Sequence, residues 1–210
     1  MDLRRTKERY LQVLPALVLV LAVVGCERTP PGPPPPPPPD QVRVLELTGK
    51  VTLDDTPLDV GFTRQGGGLL RAEAGAQAAL KVGPDTLWRI IGPAEVRIEA
   101  TPTRRHADLL AGRLGAAFRS GVTDVTMRIG AAVAGIRGTV LYAEQTTAVP
   151  DYTCVCEGKV ELRHDHGGFA RVNSQGHDQP LRVMPQGFMP QPIRGHGDAD
   201  VRQLKALLAR

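Results

Sequence analysis

Apolar and polar positions alternate through residues 125–129, where Val125, Met127 and Ile129 are separated by Thr126 and Arg128. A period of two puts the three apolar side chains on one face, as in a half-buried strand. The same rhythm recurs in short runs at Val42/Val44, Val51/Leu53, Ala78/Leu80/Val82, residues 87–91, Val96/Ile98 and Leu114/Ala116/Phe118, with Gly, Pro or Asp between them. Strands so short and so regularly punctuated predict an all-β domain, an antiparallel β-sandwich or β-roll. Gly135 and Gly138 interrupt the next run, so residues 136–139 are expected to turn tightly before the strand resumes at Val140. Residues 152–156 and 159–163 flank Glu157-Gly158, a two-residue connection that predicts a hairpin.

After Arg163 the alternation fades into a segment rich in Gly, Pro, Gln and His, expected to be a loop-rich tail with at most one or two short strands, such as 181–184. Val201, Leu204, Leu207 and Leu208 then share one stripe at helical spacing. They predict one short C-terminal helix that docks on its own domain, with Asp198 as N-cap and Asp200 in the first turn.

The other end of the chain is organised for export. Arg4, Arg5, Lys7 and Arg9 precede an apolar run, 11–24, and then Gly25-Cys26. The run is on the order of 15 residues against about 20 for a comfortable span, which favours a cleaved leader over a transmembrane helix. A small residue directly before a cysteine resembles a lipobox and implies lipidation of Cys26. By the same resemblance to lipoproteins, Glu27 behind it implies the outer membrane. Residues 33–39 are all proline. A polyproline II rod at about 3.1 Å per residue would hold the body roughly 40 Å from the membrane. The expected organisation is a lipoprotein signal peptide at 1–25, a lipidated cysteine with proline linker at 26–40, a β-domain at 41–165 and the tail at 166–210. The product would sit in the bacterial cell envelope, lipid-anchored and facing the periplasm.

Gly130, Ile136-Arg137-Gly138-Thr139 and the EGKVEL of residues 157–162 occur in an order that resembles the FecR-type domain of bacterial envelope proteins, named after the ferric-citrate regulator. The likeness extends upstream to Gly49-Lys50-Val51, to residues 69–98 and to residues 109–118, about three-fifths of the chain. It implies the β fold and an envelope role in sensing or scaffolding. In the regulator itself, a periplasmic domain receives a signal from an outer-membrane transporter and relays it to a sigma factor. Here only about ten residues precede the apolar run, too few for a cytoplasmic sigma-binding domain. Sigma-factor regulation through an uncleaved segment 11–25 is therefore the disfavoured alternative.

Composition narrows the function further. The formal charge of +4 includes two units carried by the leader, and the arginines of the body are scattered among acids. Nothing calls for a nucleic-acid partner. The expected partners are the membrane, through the anchor, and an envelope protein or glycan. Catalysis is not expected. Ser120 and Ser174 sit in no nucleophile elbow, and the Gly66-Gly67-Gly68 run lacks the lysine and helix of a phosphate loop. No cofactor is called for, with one exception.

Cys154 and Cys156 lie two apart in a strand, with both thiols on one side, and His164 and His166 repeat the spacing. Together they are candidate ligands for zinc or copper, or the cysteines serve a thiol-redox role. If Glu157-Gly158 is the turn, Cys156 pairs with Lys159, Cys154 with Glu161, and His164 falls on the opposite face. A bulge or a longer turn would be needed to gather all four. Otherwise His177, His196, Asp178 and Asp198 of the tail are the alternative source of ligands. A disulfide between Cys154 and Cys156 would be strained.

Overall fold

The strands marked by the alternation form, and several run longer than the pattern indicates. This computed structural model describes residues 35–147 and 151–210. In chain order these hold β1 (Gln41–Thr48), β2 (Val51–Leu53), β3 (Thr56–Pro57), β4 (Thr63–Gln65), β5 (Gly68–Ala72), β6 (Gln77–Val82), β7 (Thr86–Ala100), β8 (Arg105–Phe118), β9 (Val125–Ile129), β10 (Ala132–Gln145), β11 (Tyr152–His164), β12 (Phe169–Ser174), β13 (Pro180–Met184), β14 (Gly187–Pro190) and α1 (Asp198–Ala209). The segment 11–25, Cys26 and the first two prolines of the run, 33–34, lie outside the described residues. Among those described, no helix is long and apolar enough to cross a membrane.

The fold is all-β, with one large mixed sheet and a single C-terminal helix. Its principal order is β14-β13-β11-β10-β9-β8-β7-β5-β2-β3, with β6, β1 and β4 continuing from β7 and β12 pairing β11. All ladders are antiparallel except β8–β9. That exception dictates the shape of the sheet. β9 pairs with the first residues of β8, Arg105 opposite Val125, although only residues 119–124 join the two strands. A straight strand from 105 to 118 would span about 43 Å, whereas the connection reaches at most about 25 Å. β8 must therefore bend, and the bend is at Gly112 (φ +91°), where a Cβ would sit 2.3 Å from the Pro93 carbonyl. The sheet curls as a result. β9 is wedged between the first halves of β8 and β10, whose second halves pair directly.

Curling gathers one face into a continuous interior containing Val42, Leu80, Trp88, Leu109, Met127 and Leu162, among others. Trp88 meets Phe118 edge to face at 5.2 Å. Burying each such aliphatic side chain is worth about 1.5–3 kcal/mol, so this interior supplies most of the drive to fold. Few aromatics are needed because β-branched and leucine side chains fill it.

Two expectations about turns are corrected. Neither residues 136–139 nor Glu157-Gly158 turns the chain: β10 and β11 run straight through, and their register shifts twice, between Arg137 and Val140 and again between Val140 and Leu141. Gly138 (φ +58°) and Gly158 (φ +100°) face each other across this bulge, and a Cβ on Gly158 would lie 2.6 Å from the Gly138 carbonyl. The Thr139 hydroxyl donates to the Glu157 carbonyl and ties the two strands there. Paired glycines permit a bulge as readily as a turn, and the sequence signal is the same for both. The reversal after β11 is instead made by residues 165–168, so Cys154 pairs with Tyr142, not with Glu161, and Lys159 with Arg137, not with Cys156.

The bulge flips side-chain parity. Val160 and Leu162 face the interior, yet beyond the bulge it is Val155 that does so, while Cys154 and Cys156 point to the outer face. β10 follows suit, with Ala134 and Ile136 inside, then Leu141 and Ala143 inside and Val140 and Tyr142 outside. That outer face would be left half covered without the residues that follow β11.

Past β11 the chain is more ordered than a loop-rich tail. β13 contains the strand expected at 181–184, and β12 and β14 are added to the same sheet. Residues 35–210 form one compact unit. The helix appears where its stripe predicts, with Leu204, Leu207 and Leu208 buried against Leu87, Ala117 and Val140 on the outer face. Its N-cap is Gly197, not Asp198; the Asp200 carboxylate accepts the Gly197 N–H at 3.0 Å. Asp198 is engaged elsewhere.

Candidate metal centre

The four side chains that converge on the outer face come from three separate stretches. β11 supplies Cys154 and Cys156, both buried and unpaired. The β12–β13 connection supplies His177, held because its backbone N–H donates to the Cys156 carbonyl at 3.1 Å. Its φ of +56° is a left-handed conformation, reached more often by His than by most residues. The connection from β14 to α1 supplies His196, whose ring stacks on Tyr142 at 4.1 Å and meets Tyr152 edge-on at 6.3 Å. Arg194 closes the outer side, its backbone N–H donating to the Tyr152 hydroxyl at 3.3 Å and its guanidinium lying 4.6 Å from the Tyr152 ring centre.

One donor atom from each of Cys154, Cys156, His177 and His196 lies within 4.8 Å of the others. The hydrogen bonds around them fix which atoms are donors to an ion. Nδ1 of His196 lies 2.8 Å from the Arg194 carbonyl, a contact that requires the proton on Nδ1 and leaves the lone pair on Nε2. Nε2 of His177 lies 3.2 Å from the Asp198 carboxylate, which places the proton there and the lone pair on Nδ1. The two inward nitrogens, His177 Nδ1 and His196 Nε2, then face each other at 3.2 Å with no proton between them. Two lone pairs at that distance repel unless a cation lies between them.

A tetrahedral ion bound at about 2.3 Å to sulfur and about 2.05 Å to nitrogen needs an N···N edge of about 3.3 Å and an S···N edge of about 3.6 Å. The observed edges are 3.2 Å between the histidines and 3.7 Å from Cys154 Sγ to His177 Nδ1. Carboxylate-to-histidine contacts behind the ligands are the usual outer support of metal-bound imidazole.

The thiols are already polarised. Cys154 is pushed down, chiefly because the Cys156 thiol donates to it, against the opposing cost of burial. Cys156 moves up, because it holds the proton shared with Cys154 and is buried. One thiolate thus forms readily, and the second proton must leave when an ion enters.

His164 and His166 do not join the cysteines. His164 lies eight residues beyond Cys156, about 27 Å along the strand, and past the bulge it shares the interior side with Leu162. Its ring packs edge-on to Phe188 at 5.9 Å and 5.4 Å from His166, and its Nδ1 accepts the His166 N–H. Of the tail residues weighed as alternatives, His177 and His196 enter the cluster, Asp198 supports it from outside, and Asp178 accepts the Ser174 hydroxyl instead.

Neither a protein-family model nor a curated protein matches the sequence. Over part of its length the chain is similar to two crystal structures of a putative anti-sigma factor from Parabacteroides distasonis ATCC 8503, each at 13% identity and a TM-score of 0.47. The match covers 64% of this chain and 62% of that one, so this chain spans less than two thirds of the length of the protein it matches.

Proposed function

We propose that this chain is a lipid-tethered binding module of the bacterial envelope, without catalytic activity, whose folded body holds a zinc-class transition metal ion. The observation that carries the metal reading is the convergence of two thiols and two tautomer-fixed imidazoles within 4.8 Å. Two sulfurs and two imidazole nitrogens complete a tetrahedron, leaving no position for substrate or water, which fits a structural or carrier ion and not a hydrolytic one. Soft sulfur with borderline nitrogen suits zinc, with copper(I) the competitor. Support for the tether is the leader with Gly25-Cys26 and the proline spacer behind it. In an oxidising compartment, exported thiols survive best when ligated. A sensing or scaffolding role toward an envelope protein or glycan accords with the FecR-like sequence order.

The test is the metal content of the full chain, extracted from membranes under reducing conditions without chelator. One equivalent of zinc is expected in the wild-type protein and a Cys154→Ser/Cys156→Ser double variant should carry none. Equal content in the two, or no metal in either, overturns the metal reading. Intact mass of the same preparation checks acylation of Cys26.

A further inference from the structure

We infer that the ion is the latch that seats α1 on the outer face of the sheet, so that metal occupancy governs whether that face is covered. This rests on the metal reading of the cluster. The ligands themselves impose the coupling, because His196 lies two residues before the helix, between Gly195 and Gly197, and Asp198, the first helical residue, bonds to His177. Ligation therefore fixes both the end of the preceding loop and the first turn of α1 to β11.

Apart from the ligands, that end is held by one arginine: Arg89, only 14% exposed, lies 3.5 Å from the Asp200 carboxylate and donates to the Gln203 side chain at 2.8 Å. The cap residue is a glycine with no side chain to offer, and only Leu204, Leu207 and Leu208, all in the second half, are buried. A helix of 12 residues is marginal on its own in water. Farther along, Lys81 donates to the Leu208 carbonyl at 3.3 Å, and two ion pairs, Lys205 to Glu157 at 2.9 Å and Arg210 to Glu46 at 3.1 Å, join side chains that are all substantially exposed. Such pairs contribute little. Without the ion, the two inward imidazole lone pairs repel across 3.2 Å, and the easiest relief is for the His196 loop to swing away, taking the helix N-terminus with it.

Release of α1 would bare Leu87, Ala117 and Val140, which now lie within 4% of complete burial. It would also remove one wall of a 620 Å³ cleft, in which Lys205, Leu208 and Ala209 stand opposite Phe118, Arg119 and Thr139. Cover and cleft are thus both conditional on the ion. Coupling of this kind is reciprocal, so weakening the helix seat must weaken the ion by the same factor.

Hydrogen exchange of the full chain in detergent, with zinc and after its removal by EDTA, reads one direction of the coupling. Amides of α1 should exchange at least about tenfold faster without zinc while those of β7 and β8 are unchanged, a factor within the usual range of coupling energies. Zinc competition against a chromophoric chelator reads the other direction. Leu204→Ser/Leu207→Ser, with all four ligands intact, should bind zinc about tenfold more weakly, whereas Leu204→Met/Leu207→Met, which keeps the apolar face, should retain most of the wild-type affinity. Exchange in β7 and β8 reports whether the Leu204→Ser/Leu207→Ser protein still folds. Unchanged α1 exchange, or unchanged affinity in the folded Leu204→Ser/Leu207→Ser protein, overturns the latch. Failure of the wild-type chain to take up zinc at all overturns the metal reading instead, a separate and recognisable result.

Discussion

Asp198→Ala removes no ligand, yet it is expected to weaken metal binding about tenfold. The Asp198 carboxylate lies 3.2 Å from His177 Nε2 and holds the proton on that nitrogen, so that Nδ1 faces the cysteines with a lone pair. Without it, His177 can place its proton on Nδ1, toward His196, and every such molecule must shift the proton before it can ligate. Outer partners of this kind typically change affinity 10–100-fold. The Asp198 side chain is 80% exposed, so water screens much of its charge. The lower end of the range, about tenfold or about 1.4 kcal/mol, is therefore the appropriate magnitude. Asp198→Asn keeps an acceptor oxygen and should lose only about threefold, since geometry survives while charge does not. Asp178→Ala, which removes the acceptor of the Ser174 hydroxyl, is the control. Zinc competition at constant pH measures all three. Equal affinity for the Asp198→Ala and Asp178→Ala proteins would refute both the tautomer assignment and the inward aim of Nδ1.

The bulge and a half-buried histidine give further tests. Gly158→Ala forces a Cβ to within 2.6 Å of the Gly138 carbonyl at a φ of +100°, whereas Gly167→Ala has a similar φ of +93° and open space around it. Urea denaturation should show a loss of roughly 2–3 kcal/mol for the first and about 1 kcal/mol for the second; equal losses would mean that packing at the bulge does not matter. His106, 2.8 Å from the Thr126 hydroxyl, is lowered from 6.5 by burial and then by Arg104, against the opposing pull of Glu99 and Asp108. A histidine lowered in the fold takes its proton first in the unfolded chain. Stability should therefore fall as pH drops below about 6.5, until the folded value is passed. The difference in urea midpoint between pH 7.5 and 5.5 should be smaller in His106→Gln than in the wild-type chain, and an identical difference would exclude His106 as a contributor.

Much of the fold was legible because it depends on a local period. Val125, Met127 and Ile129 alternate, are buried, and form β9; Leu204, Leu207 and Leu208 recur at helical spacing and are the buried face of α1. β12 and β14 were not legible, since Phe169 and Met189 point to solvent and their segments carry no clean alternation. Their strand conformation comes from the edges they pair with. Asp198 was misassigned for a related reason: a capping residue is judged from its neighbours in sequence, but this one answers to His177, 21 positions away.

The cluster shows most plainly what a sequence withholds. Its two cysteines are obvious and their spacing puts both thiols on one side, but which side depends on parity counted from a distant anchor. Counted from Leu162 and Val160 without interruption, Cys156 and Cys154 would face the interior, among aliphatic side chains that offer no ligand. Across the Gly138/Gly158 irregularity each strand gains one extra residue, and the one in β11, between Glu157 and Val155, reverses that count and turns the thiols toward the face where His177 and His196 arrive from later in the chain. A reading of Glu157-Gly158 as a turn folds the following residues back beside the cysteines, yet leaves His164 on the opposite face. A bulge instead extends the strand and carries His164 and His166 away. The glycines that shape the sheet are therefore also what orients the thiols. Straightening the bulge should abolish metal uptake even with every ligand in place, whereas a change that only destabilises the interior should leave the affinity of the folded fraction intact.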